Sequence, residues 1–177
     1  MLIFLTGFSG CGKSTAGRRL AERFGYRFVD LDDAVAAREG RTVTEIFAQS
    51  GEEEFRRLES AELGAIIASA DNTIIATGGG APCFRANMER MLAAGTVVYF
   101  RMSPENLVRR LQHGRERRPK LAGIDDADLT DNITRSLAER EPYYLRSQVV
   151  IDCNGVDDTY LAEHLGLILD RSSFLRK

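Results

Sequence analysis

Five short apolar segments punctuate the chain, at residues 2–5, 74–76, 97–100 and 149–151, with a weaker fifth at 27–29. Each is rich in Val, Ile, Leu or Phe and runs into a polar or glycine turn. Their apolar positions are consecutive rather than alternating, which is the pattern of strands covered on both faces in a parallel sheet. Between them apolar residues recur at helical spacing, first at Ala16, Leu20, Ala21 and Phe24, then at Leu58, Ala61, Leu63, Ile66 and Ile67. Strands and helices therefore alternate. The expected fold is an α/β domain, a doubly wound parallel sheet of about five strands with helices on both faces.

Two helix starts are legible from end chemistry. In Thr42-Val43-Thr44-Glu45 the threonine can accept from the backbone while the glutamate reaches back, so a helix should begin near Val43. Ser103 followed by Pro104 has the form of an N-cap with proline at the first helical position. Residues 113–128 carry no strand run and mix Arg, Pro, Gly and Asp over more than an ordinary connection, as a mobile functional loop would. No repeat or linker divides the chain, so residues 1–177 are read as one domain.

Composition narrows the class without choosing within it. The chain has 177 residues, 44% hydrophobic and 28% charged, as one compact soluble domain does. No apolar run approaches the roughly 18 residues of a membrane span, and the first run is too short for a signal-peptide core. A cytoplasmic protein with no membrane partner is expected. A net charge of −2 gives no general attraction to nucleic acid, so none is expected as a partner either. Cys11, Cys83 and Cys153 are odd in number and widely spaced, which indicates neither a disulfide framework nor a zinc site. His113 and His164 have no acidic partner at useful spacing and read as surface residues.

The chemistry is concentrated after the first strand. Gly7-Phe8-Ser9-Gly10-Cys11-Gly12-Lys13-Ser14 matches the phosphate-binding P-loop, glycine, four residues, then Gly-Lys-Ser. Backbone N–H groups of Gly10, Cys11 and Gly12, and the helix N-terminus that follows, would surround a triphosphate. Lys13 would neutralise the β- and γ-phosphates, Ser14 would ligate Mg²⁺, and Thr15 would donate a further hydrogen bond. Cys11, inside this loop, would sense oxidation only if its thiol were exposed, and a packed thiol is the expected state. A guanine-reading Asn-Lys-x-Asp segment and the Leu-Ser-Gly-Gly-Gln signature of transport ATPases are absent, and Asp152-Cys153-Asn154-Gly155 reads as a turn. A small-molecule kinase remains.

Five further segments resemble the shikimate kinase family, in the family's order. They are Asp30-Leu31-Asp32-Asp33, Phe55-Arg56-Arg57-Leu58-Glu59, Ala76-Thr77-Gly78-Gly79-Gly80-Ala81, Arg118-Pro119, and Glu139-Arg140-Glu141-Pro142-Tyr143-Tyr144. The resemblance implies an ATP- and Mg²⁺-dependent kinase of P-loop type, with a mobile lid at about 113–128 and a substrate segment at about 31–62. It also implies the roles. Asp30 lies near the metal through water, Asp32 meets the substrate hydroxyls, and Arg118 swings onto the moving phosphoryl group while Arg110 packs on adenine. One departure is visible, Lys120 in Arg118-Pro119-Lys120-Leu121 where the family has leucine.

Physical chemistry supports the same positions. Shikimate carries a carboxylate and three hydroxyls, so its site needs guanidinium forks, which Arg56 and Arg140 supply, and acceptors, which Asp32 supplies. Glu59, one turn after Arg56, can hold that guanidinium in orientation. Gly78, Gly79 and Gly80 allow the backbone close to the substrate, with the Gly79 N–H offered to its carboxylate. Phe47 and Phe55 are candidate pocket walls. The expected partners are ATP and shikimate alone, bound by a monomer. The alternatives are a gluconate- or nucleotide-type kinase, or a P-loop nucleotide sensor without catalysis.

Overall fold

The computed structural model describes residues 1–112 and 126–171. All five strands form where the apolar runs lie: β1 (Leu2–Thr6), β2 (Arg27–Asp30), β3 (Thr73–Ala76), β4 (Thr96–Arg101) and β5 (Val149–Asp152). They pair in parallel in the order β2-β3-β1-β4-β5. From central β1 the chain builds one side of the sheet and then the other. The sheet is therefore doubly wound, and its switch point opens a crevice beyond the carboxyl end of β1.

Both faces of the three inner strands are covered, which explains their consecutive apolar residues, whereas edge strand β5 leaves Val150 exposed. Ile3 and Leu5 of β1 point into a core shared with α1 (Lys13–Phe24), α5 (Pro104–Gln112), α6 (Asp126–Tyr144) and α7 (Asp158–Arg171). Leu2 and Phe4 point into the opposite core, with Leu31 of α2 (Leu31–Glu39), Leu63 and Ile66 of α3 (Val43–Ser69), and Met88 and Met91 of α4 (Asn87–Ala94). A third, small cluster of Val35, Ile46 and Phe55 holds α2 against α3. Among the described residues no helix is long and apolar enough to cross a membrane.

The helix ends follow their chemistry. Thr42 Oγ1 accepts from the Glu45 N–H at 3.2 Å, and Glu45 Oε2 accepts from the Thr42 N–H at 2.7 Å, the full capping box. Ser103 Oγ accepts from the Asn106 N–H at 3.4 Å where α5 begins. Helix α3 is two helices joined at Gly51, which leaves helical geometry at φ 80° and ψ 175°. Ala61, placed on its apolar face by periodicity, is exposed.

The stretch expected as a loop is shorter at its C-terminal side, because α6 already starts at Asp126. The Asp152–Gly155 segment is a turn, as expected, and a tied one. Asn154 Oδ1 accepts from the Ser103 N–H at 2.9 Å and from Asn106 Nδ2 at 2.8 Å, so the turn braces the start of α5.

Candidate active site

A cleft of about 1220 Å³ lies at the carboxyl end of the sheet. The P-loop forms one of its walls, leaving β1 and entering α1 through Gly12, whose φ of 97° suits glycine. Lys13 is nearly buried, its ammonium donating to the Gly7 and Phe8 carbonyls at 2.9 Å each and to Cys11 Sγ at 3.6 Å. Ser14 Oγ donates to Asp30 Oδ2 at 2.5 Å. Gly10, Gly12, Ser14 and Thr15 line the same cleft. Cys11 is fully buried, in accord with a packed thiol and against an exposed sensor.

The end of β2 and the start of α2 carry two aspartates with different duties. Asp30 caps α2, its Oδ1 accepting from the Asp32 N–H at 3.1 Å. Asp32 is left free of that capping role and faces the cleft. Burial, and then the neighbouring Asp30 charge, push the Asp32 carboxyl above the ordinary range.

Arg56 and Glu59 are not a surface pair. Glu59 is fully buried, and its Oε2 accepts from Arg56 Nη1 at 2.7 Å, while Arg56 Nη2 reaches Glu52 at 3.3 Å. Burial raises the Glu59 carboxyl to about 7 against the opposing pull of Arg56. For Arg56 burial works downward, but Glu59 and Glu52 outweigh it and leave the guanidinium above its usual value. Its central carbon lies 5.2 Å from the centre of the Phe55 ring, which packs tilted against Phe47 at 4.7 Å, and both phenylalanines wall the cleft as expected.

The glycine turn after β3 explains itself through its neighbours as much as through any ligand. A Cβ on Gly78 would overlap Glu59 Oε1 and lie 2.8 Å from Asp32 Oδ1. On Gly80 it would lie 2.5 Å from the Arg56 guanidinium carbon. On Gly79 it would lie 3.3 Å from the Ser9 amide nitrogen and 3.6 Å from Arg140 Nη1. Both arginines therefore meet at this turn. Arg140 rests 5.4 Å from the Phe8 ring, which links α6 to the P-loop.

Sequence reading missed two supports of this site. The Tyr144 hydroxyl donates to the Gly79 carbonyl at 2.5 Å and so anchors the glycine turn to α6, and its ring packs on Tyr99 at 5.1 Å. Phe8 supports Arg140. Tyr144 and Phe8 both stand inside quoted motifs, at positions to which neither motif assigns a role. Arg110 lines the cleft, with Nη2 donating to the Val156 carbonyl at 3.1 Å. Arg118, Pro119, Lys120 and His113, and most of the expected lid, lie outside the described residues. His164 is exposed and stacks on Tyr160.

Three comparisons agree on the relatives of this chain. A family model described as shikimate kinase matches residues 9–166. A shikimate kinase of Bacteroides thetaiotaomicron is 40% identical over 161 residues, 91% of each chain. A crystal structure of shikimate kinase from the same organism superposes with a TM-score of 0.89 at 38% identity over 96% of both chains. The shikimate kinase of Acinetobacter baumannii in complex with shikimate gives 0.86 at 32% identity, covering 97% of this chain and 94% of that one.

Proposed function

The chain belongs to the shikimate kinase family, and from that premise we propose how its cleft moves the γ-phosphoryl group of ATP to the 3-hydroxyl of shikimate, giving shikimate 3-phosphate and ADP. Phosphoryl transfer through a loose transition state asks the protein mainly for placement and charge neutralisation. The amides of Gly10, Cys11 and Gly12 and the start of α1 hold phosphate oxygens, with Thr15 adding a hydrogen bond. Lys13 supplies the positive charge at the β- and γ-phosphates. Arg110 flanks the adenine, and Arg118 covers the moving group.

Ser14 and Asp30 form a hydrogen-bonded, all-oxygen pair beside the P-loop, a donor set that suits Mg²⁺. No cluster of three or more His, Cys, Asp or Glu side chains able to hold a metal occurs among the described residues. Ser14 would hold such an ion, with Asp30 beside it. When bound it offsets phosphate charge.

At the other end Arg56 and Arg140 grip the shikimate carboxylate beside the Gly79 N–H, with Gly78 and Gly80 leaving room for the side chains around them. Glu59 fixes Arg56. Asp32 accepts from the attacking hydroxyl, chiefly to orient it, because the proton leaves late in a loose transition state. As read from the sequence, the chain would act as a cytoplasmic monomer on these two small molecules.

The observation that carries this assignment of roles is the meeting of the two guanidinium groups at the Gly79–Gly80 turn, with Asp32 beside Gly78. An ADP-release assay with shikimate, quinate, gluconate and nucleoside monophosphates in parallel tests it. Turnover with shikimate far above the rest is expected. Equal or greater turnover of gluconate or a nucleotide would overturn the acceptor site as drawn.

A further inference from the structure

Two buried side-chain oxygens among the described residues have no hydrogen-bond partner, Asp32 Oδ1 and Glu59 Oε1. They belong to different helices, yet both border the space above Gly78, where a single added carbon would press on each. Two ionised carboxylates so placed would repel each other in a medium that screens poorly. An unsatisfied buried acceptor is itself costly. One proton answers both problems, since a protonated carboxyl donates where a carboxylate can only accept.

We propose that Glu59 carries that proton and shares it with Asp32, directly or through one trapped water, and so acts as a positioning residue that turns Asp32 Oδ2 toward the acceptor hydroxyl. Glu59 is the better site for the proton because it is fully buried, whereas Asp32 borders the open cleft. Its other oxygen, Oε2, still accepts from Arg56. The charges around it are Arg56 and Glu52 on α3 and Asp32 on α2, and the Cys83 thiol after β3, pushed up to about 11 by burial, is a neutral neighbour. Lys13, Asp30 and Asp33 act on Asp32, and Arg140 acts on Cys83. The upward displacement of the Glu59 carboxyl agrees with this arrangement. The function of Glu59 is then double, holding Arg56 with one oxygen and Asp32 with the other. The second duty rests on the reading of Asp32 as the acceptor for the substrate hydroxyl.

The test has a spectroscopic arm and a kinetic arm. Infrared spectra of the full chain, unlabelled and with ¹³C-carboxyl glutamate, are recorded without substrate at pH 6 and pH 9. A protonated-carboxyl C=O band is expected at pH 6, shifted by the glutamate label and lost at pH 9. Its absence at pH 6, or a band that the label does not move, overturns the proposal whatever the enzyme turns over. In the kinetic arm Glu59→Gln keeps an amide donor for Asp32, and Glu59→Ala does not. Both variants should lose shikimate turnover, with kcat at least tenfold lower in Glu59→Ala than in Glu59→Gln. Equal kcat in the two variants beside a labelled band would leave the proton in place and overturn its role at Asp32. Because the infrared arm contains no substrate, it separates an error about the proton from an error about Asp32.

Discussion

The two ends of the cleft are built in different ways. The phosphate end is eight consecutive residues running from the end of the central strand into α1, with Lys13 tied to carbonyls five and six positions away. The acceptor end draws Asp32, Arg56, Glu59, the glycine turn and Arg140 from α2, α3, the segment after β3, and α6. It stands partly on the small cluster of Val35, Ile46 and Phe55, apart from the two large cores. Phosphate is recognised by amides and a helix end, which a local conformation supplies. A carboxylate with hydroxyls needs side chains from several directions, and those must be buried together. Each end buries one ionisable side chain, Lys13 among backbone carbonyls at the phosphate end and Glu59 against the Arg56 guanidinium at the acceptor end.

Substitutions at the two ends should separate cleanly. Lys13→Ala should lower kcat on the order of 10³-fold, because the charge it meets exists only in the nucleotide complex, with shikimate binding kept. Circular dichroism would verify the fold, and activity within tenfold of the parent would remove Lys13 from the phosphate end. Arg56→Ala and Arg140→Ala should do the reverse. Each is expected to weaken shikimate binding by roughly 1.5 to 3 kcal/mol per lost charged hydrogen bond, with ATP affinity little changed. Calorimetry decides, and normal shikimate binding in both variants would mean that the carboxylate lies elsewhere.

The smallest effect concerns stability and belongs to the acceptor end alone. Glu59 holds its proton up to about pH 7, against an ordinary carboxyl value of 4.5. Between those values the folded chain binds more protons than the unfolded one, so this group's contribution to stability is full below about 4.5 and is lost as pH rises to about 7. Tm should fall over that window by several degrees more in the parent than in Glu59→Gln. Parallel curves for the two proteins would show that Glu59 titrates at an ordinary value.

The sequence determined the strands, the P-loop and the capped helix starts by itself, because each depends on neighbours a few residues away. Short runs of consecutive apolar residues ending in turns fit strands covered on both faces, and Gly-Lys-Ser after such a strand needs no distant partner to bind phosphate. Recognising the acceptor-end residues depended on their resemblance to a family, since an arginine and a glutamate three apart also describe an exposed pair. Only the tertiary structure decided that Glu59 is fully buried, that Asp30 caps α2 and leaves Asp32 to the cleft, and that Gly78 and Gly80 make room for carboxylates and a guanidinium. Nor does any local pattern assign the Tyr144 hydroxyl to Gly79 or the Phe8 ring to Arg140. Those contacts join residues far apart in the chain, and the packing that brings them together also sets the solvent exclusion on which their charges depend.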